Sequence, residues 1–271
     1  YFQYARFTAQ NSPFKAGCDS ESYDNYIYVN RDGERLDVYT VELLDSDGDG
    51  KLEPNQHPDN PEAPGPIEQR VLTYIKTYDI PELGPVNASE LYAASDRIYF
   101  LNWDVPGAIF EHVFATGVTT KIIDAPPPGD RFPVMGFDPV EGRWYTGVHY
   151  ERTVFSYHAP SKTWVAEFKY PDLAGDHMDG MEVITDPNTG TSYVYVSDMT
   201  SDFLGQYRRA QGGNWVQVNL FEYAGASGEM VEGMGFGPFN HFWASGYPEH
   251  SLFEIGGGDL AKYTEPSKPP R

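Results

Sequence analysis

Four apolar anchors, Leu91, Met135, Met181 and Met234, recur along this chain at separations of 44, 46 and 53 residues. Each opens a unit with the same strand grammar. The clearest unit starts at Asp179-Gly180-Met181-Glu182-Val183-Ile184-Thr185. It continues through the alternating strand Ser192-Tyr193-Val194-Tyr195-Val196-Ser197-Asp198, then Leu204–Arg208, then Trp215–Phe221. That is four short strands per unit, separated by turn-forming residues. Val134–Pro139 with Arg143–His149, Val154–Tyr157 and Trp164–Phe168 repeats it, as does Glu232–Phe236 with His241–Gly246. Weaker copies carry Glu90–Asp96 with Ile98–Asn102, and Tyr26–Asn30. A period near 40–50 residues with four strands in each unit is the signature of a β-propeller, because one small sheet cannot bury both faces alone and must stack on its neighbours. Five units predict an all-β, five-bladed propeller; a six-bladed ring would need one more blade. The anchors read as blade-to-blade packing. The predicted domain spans 4–262, with the opening 1–3 reading as the end of a purification tag and 263–271 as a loose tail. The segment 4–10 is predicted to pair with the last blade and close the ring.

Composition agrees with this and narrows the partners. Tyr (20), Phe (16), Gly (27) and Pro (22) favour strands and turns. The net charge of −21 repels nucleic acid and anionic membranes and draws in cations. No apolar run reaches the length that crosses a bilayer as a helix. A single cysteine, Cys18, makes neither an internal disulfide nor a thiolate cluster. The expected state is a monomer, and the ligand class, whether small molecule, carbohydrate or protein, is open.

Residues 45–53 carry the most specific chemical motif, Asp45-Ser46-Asp47-Gly48-Asp49-Gly50-Lys51-Leu52-Glu53. Carboxylates alternate with small residues, which wraps oxygen ligands around one hard cation such as calcium. The twelfth position, counted as in an EF-hand, is Gln56, and no helix pattern follows. The spacing resembles the Asp-rich calcium loops of integrin-type propeller blades, which join two strands. That resemblance implies Asp45, Asp47, Asp49 and Glu53 as side-chain ligands and Lys51 through its carbonyl. The expected role is structural: a clip within an insert (45–66) between the third and fourth strands of the first blade. Such a loop, with the absence of an initiator Met, leads us to expect a secreted or periplasmic protein.

Propeller geometry separates this loop from the other face. Residues entering innermost strands and residues leaving second strands ring one channel mouth. Glu90, Asp179 and Glu232 are predicted to converge there, as a site for a second divalent cation or a ligand. Trp103, Asp104, His149, Tyr150, His177, Asp198 and Tyr247 are the predicted ligand contacts, and Asn30 also ends a second strand on this face.

Met178-Asp179-Gly180-Met181-Glu182-Val183 with Tyr193–Asp198, and Glu232-Gly233-Met234-Gly235-Phe236, resemble the gluconolactonase and regucalcin family of propellers. The resemblance covers about two blades. It implies that Asp179 supplies a ligand to a catalytic divalent metal and that Glu90 matches the family's Glu; Pro133 stands where an Asn would be expected. The family's usual six blades depart from the five counted here. Lipase-type nucleophile elbows, His-Glu-x-x-His and phosphate loops are absent from the sequence. The favoured expectation is a calcium-binding, non-catalytic ligand- or protein-binding module. A metal-dependent lactonase or other hydrolase comes second, and a glycosidase using channel carboxylates third.

Overall fold

The computed structural model describes residues 1–15, 17, 19–31, 34–83, 90–101, 107–126, 132–148, 150–171, 177–201, 203–222, 230–247, 249–258 and 260, with the side chains of Glu90, Glu222 and Tyr247 excepted. Twenty strands form five four-stranded antiparallel sheets. The first blade runs β2 (Asp19–Tyr23), β3 (Tyr26–Asn30), β4 (Arg35–Leu44) and β5 (Gln69–Asp79) from the centre outward. The second runs β6 (Glu90–Ala93), β7 (Arg97–Leu101), β8 (Ala108–Val113) and β9 (Val118–Asp124). The third runs β10 (Val134–Asp138), β11 (Arg143–Gly147), β12 (Thr153–His158) and β13 (Thr163–Lys169). The fourth runs β14 (Met178–Thr185), β15 (Ser192–Asp198), β16 (Phe203–Arg209) and β17 (Trp215–Glu222). The fifth runs β18 (Met230–Gly237), β19 (His241–Tyr247) and β20 (Ser251–Gly256), and its outer strand is β1 (Phe2–Phe7) from the other end of the chain. The protein is a five-bladed β-propeller.

Burial along each blade follows from its place in the ring. Innermost strands are covered on both faces, so β10 is buried at every position, and the third strand β20, flanked by β19 and β1, is buried throughout as well. Outer strands alternate with solvent or face it, as β9 and β13 do. The anchors Leu91, Met135, Met181 and Met234 are all buried, packed between adjacent blades. Near the axis the sheets approach very closely. A methyl group built on Gly233 or Gly235 of β18 would collide with Asp19 or Glu21 of β2. Only a bare backbone lets these two innermost strands meet.

The ring closes between the fifth and first blades. β1 pairs antiparallel with β20, Phe2 opposite Gly256 and Phe7 opposite Leu252. The insert after β4 reinforces this seam. Arg70 Nε donates to Glu254 Oε2 at 2.7 Å and Arg70 Nη2 to the Pro54 carbonyl at 2.6 Å. Glu254 Oε1 lies 2.6 Å from His241 Nδ1, and His241 Nε2 lies 3.0 Å from Asn55 Oδ1. Tyr4 of β1 stacks on His241 at 4.5 Å and donates its hydroxyl to the Asn55 carbonyl at 2.9 Å. The Arg70 and Glu254 side chains are almost wholly buried, which only a closed set of partners makes tolerable.

Candidate channel-mouth site

Strand register places the functional groups. In the first blade Asp19 opposes Asn30, and Asn30 opposes Leu36, so all three sit at the mouth end. Leu44, which leads into the Asp-rich loop, lies beyond Thr40, the partner of Tyr26, at the opposite end. The loop and the mouth therefore occupy opposite faces of the ring.

Two irregularities shape the mouth. In the fourth blade Met178 opposes Asp198 and Gly180 opposes Ser197, which leaves Asp179 as an extra residue. In the fifth, Val231 opposes Gly246 and Met234 opposes Ala244, so Glu232 and Gly233 fall within a second shift. A β-bulge re-aims the side chain it carries, and both predicted carboxylates stand on one. Gly233 in turn makes the room into which the Asp19 carboxylate leans.

The result is a concentration of buried negative charge. Burial raises the Asp179 carboxyl well above the ordinary carboxylate range, and the charges of Glu232, Asp19 and Asp198 add to it. Asp19 is raised in the same way, by burial and by Glu232, against a lowering by the Ser20 and Leu91 amides. Neither amide closes a hydrogen bond of normal geometry, and both Asp19 oxygens are buried without a partner. The Asn30 side-chain amide, directly opposite, is fully buried with neither its oxygen nor its nitrogen bonded. Like charges this close cannot all stay ionised in a dry site unless protons or a cation join them.

The remaining predicted contacts divide sharply. His177 Nε2 lies 3.5 Å from Asp179 Oδ2, and the exposed Tyr150 ring meets His177 edge-on at 5.9 Å. The Asp179 side chain keeps 13% exposure and His177 22%, so the mouth is open at this point. Asp198 faces inward and is held as an acceptor by Tyr170 Oη at 2.8 Å, Thr200 Oγ1 at 3.1 Å and Ser201 N at 3.0 Å. Trp103, Asp104 and His149 lie outside the described residues, as do the side chains of Glu90 and Tyr247. Asp19 has no counterpart in the sequence reading. Asp19-Ser20-Glu21-Ser22-Tyr23 lacks the β-branched residues that mark a strand, and only its place one tight turn before Tyr26–Asn30 points to an inner strand.

On the opposite face, Asp45, Asp47 and Asp49 bring carboxylate oxygens within 4.8 Å of one another. The loop is folded on itself. Asp45 accepts from the Gly48 and Gly50 amides, and Asp49 accepts from the Lys51 amide and ammonium, both at 2.8 Å. The Lys51 bonds hold the Asp49 carboxyl below its ordinary value. Glu53 stands outside this group; its Oε2 accepts from Gln56 Nε2 at 2.6 Å. Three exposed carboxylates on a turning loop offer the oxygen donors a hard cation takes.

Comparison with known proteins bears on the fold. No family model matches the chain, and no curated protein matches it. Among solved structures, a luciferin-regenerating enzyme aligns over 94% of this chain and 96% of its own, at 10% identity and a TM-score of 0.50. An auxiliary nutrient binding protein from Bacteroides thetaiotaomicron aligns over 90% of this chain and 69% of its own, at 13% identity and a TM-score of 0.46. A chain of a nidogen–laminin complex covers 83% of this chain and 71% of its own, at 12% identity and a TM-score of 0.46. At such identities the likeness speaks to architecture alone.

Proposed function

We propose that this propeller holds a divalent cation at its channel mouth and uses it to bind an oxygen-bearing small ligand without chemical turnover. The observation that carries this reading is the set Asp19, Asp179 and Glu232 with Asn30, in which both Asp19 oxygens and the whole Asn30 amide are buried without a hydrogen bond of normal geometry to the protein. A buried carboxylate costs several kcal/mol unless something compensates its charge. These are all hard oxygen donors apart from the Asn30 nitrogen, so calcium or magnesium suits them and a thiophilic metal does not. His177 and Tyr150 then form the accessible lip against which a ligand rests. The Asp-rich loop on the other face takes a separate, structural calcium through Asp45, Asp47 and Asp49, and this suits a secreted or periplasmic setting.

Calcium titration by calorimetry, on protein stripped with chelator, tests the site. The reading predicts two classes of binding, with Asp19→Asn and Asp179→Asn each removing one class and Asp47→Ala the other. Unchanged stoichiometry in all three variants overturns it.

A metal-dependent hydrolase of the gluconolactonase-like class is the second reading, favoured by His177 beside Asp179. A partly exposed imidazole 3.5 Å from the carboxylate is placed to take a proton from water. Metal-dependent lactone opening, lost in His177→Ala while calcium binding stays, would select this reading over the first.

A further inference from the structure

Five blades splay outward from the axis, so the clefts between their outer strands must be filled from the side chains. Between the first and second blades, Tyr78 stacks on Phe114 at 4.3 Å, with Tyr28 behind it. Between the third and fourth, Trp215 and Arg209 both bond to Glu167, and Phe168 packs on Trp215 at 4.7 Å. Between the fourth and fifth, Tyr1 stacks on Phe221 at 4.1 Å. The seam between the fifth and first holds the Arg70–Glu254–His241 network. The cleft between the second and third blades is packed near the axis by residues such as Tyr92, Phe137 and Trp144. It keeps a cavity of about 500 Å³, lined among others by Ile123, Asp124, Tyr157, Lys162, Thr163 and Trp164.

Three features make this cavity a formed site rather than loose packing. The Trp164 indole N–H donates to the Asp124 carbonyl at 2.7 Å, which fixes the ring across the cleft, and Tyr157 lies 5.2 Å from it at an inclined angle. The turn carrying Lys162 is strained where its counterparts are not. In the other described turns between third and fourth strands, glycines take the left-handed conformation: Gly48 and Gly50, Gly117, and Gly212 and Gly213. In the third blade Lys162 takes it, with φ of 53°. A side chain in that conformation is strained, and such outliers point toward a task. The volume also falls in the range of small-ligand sites, roughly 300–1,000 Å³.

We propose that this cleft is a binding site for neutral oligosaccharides, separate from the channel mouth. The aromatic wall of Trp164 and Tyr157 accepts the apolar face of a sugar ring. Asp124, Lys162 and Thr163 also line the cavity; the Asp124 carboxylate, which accepts from Lys121 at 2.8 Å, and the Thr163 hydroxyl, 2.7 Å from Ser161 Oγ, retain further lone pairs for ring hydroxyls, and the Lys162 ammonium supplies donors. The net charge of −21 disfavours acidic sugars.

Saturation-transfer NMR and calorimetry with cellotriose, maltotriose and chitotriose test the proposal on the intact chain. At least one trisaccharide binds, and Trp164→Ala weakens it tenfold or more. Because Trp164 also bridges the cleft, Thr163→Ala and Lys162→Gly serve as milder variants; each weakens binding several-fold, while Lys162→Gly raises the melting temperature. Asp179→Asn leaves the affinity unchanged, which keeps this site distinct from the channel. No binding of any of the three at about 10 mM, tenfold above a millimolar dissociation constant, overturns the proposal. So does equal affinity in wild type and Trp164→Ala, or tighter binding of trigalacturonate.

Discussion

Oδ1 of Asp19 occupies the space that a Cβ at Gly233 would fill, although the two residues lie at opposite ends of the chain. The first and fifth blades touch through this pair, and the acidic mouth depends on it. Gly233→Ala forces either the Asp19 carboxylate or the β18 backbone to move. Overpacking of this kind costs roughly 1–3 kcal/mol. Urea unfolding measures the loss, and calcium affinity at the mouth drops with it.

The seam network predicts a larger effect. Arg70→Met leaves Glu254 buried beside His241 without its guanidinium partner. Breaking a buried pair in this way costs roughly 3–5 kcal/mol. The double variant Arg70→Met, Glu254→Gln recovers much of it, because the stranded charge is gone. Equal stabilities for the single and double variants in denaturant titrations would argue against a charge-based seam.

The mouth carries a pH signature. Asp179 is raised by burial first and then by Glu232, Asp19 and Asp198. A carboxyl whose pKa rises on folding holds its proton more tightly in the folded chain. Its destabilising contribution is absent below the unfolded value of about 3.9, grows as pH rises, and levels off above the folded pKa. In chelator, Asp179→Asn is therefore more stable than wild type at pH 8, and the advantage vanishes near pH 3.5, about where the unfolded carboxyl is itself protonated. Saturating calcium narrows the difference at pH 8. Thermal melts across this range read the outcome.

Glu167 has the opposite sign. Burial raises it, but hydrogen bonds from Ser156 and Trp215 and the charge of Arg209 outweigh burial and bring it below its ordinary value. Its contribution is present above the unfolded pKa of about 4.3 and is lost as pH falls through the folded value. Glu167→Gln lowers stability at pH 7 by roughly 1–3 kcal/mol. The gap from wild type closes in acid, and parallel curves at all pH values would show that the carboxylate's charge is not what matters.

The Asp-rich loop predicts a calcium-dependent melt. A cation bound only by the folded chain adds about 2.7 kcal/mol at a hundredfold excess over its dissociation constant. Chelator lowers the melting temperature, calcium restores it, and Asp47→Ala removes this component. Magnesium restores it less well, because it demands near-ideal octahedral geometry and gives up its waters reluctantly.

Much of the architecture was legible in the chain because it is local. The spacing of Leu91, Met135, Met181 and Met234 repeats one four-stranded unit, and alternation within each unit marks strands such as Ser192–Asp198. Five blades and the place of the Asp-rich loop after a third strand follow from that pattern, while the pairing of the N-terminal segment with the last blade, expected over 4–10, runs over Phe2–Phe7. The chemistry of Asp45, Asp47 and Asp49 is equally local, since neighbours in sequence supply all three oxygens.

What meets at the centre is set by tertiary structure alone. Asp19 begins a strand that its own residues do not announce; β3 beside it and the glycines of β18 against it make it one. The bulges that turn Asp179 and Glu232 toward the mouth are register shifts between strands, invisible in either strand alone. The cavity at Trp164 is lined from both the second and the third blade, which are brought side by side only by the ring. Periodicity along the chain determines which strands form and in what order. Contacts around the ring, between residues as distant as Asp19 and Glu232, decide which side chains share a site, because only closure brings the first and last blades together.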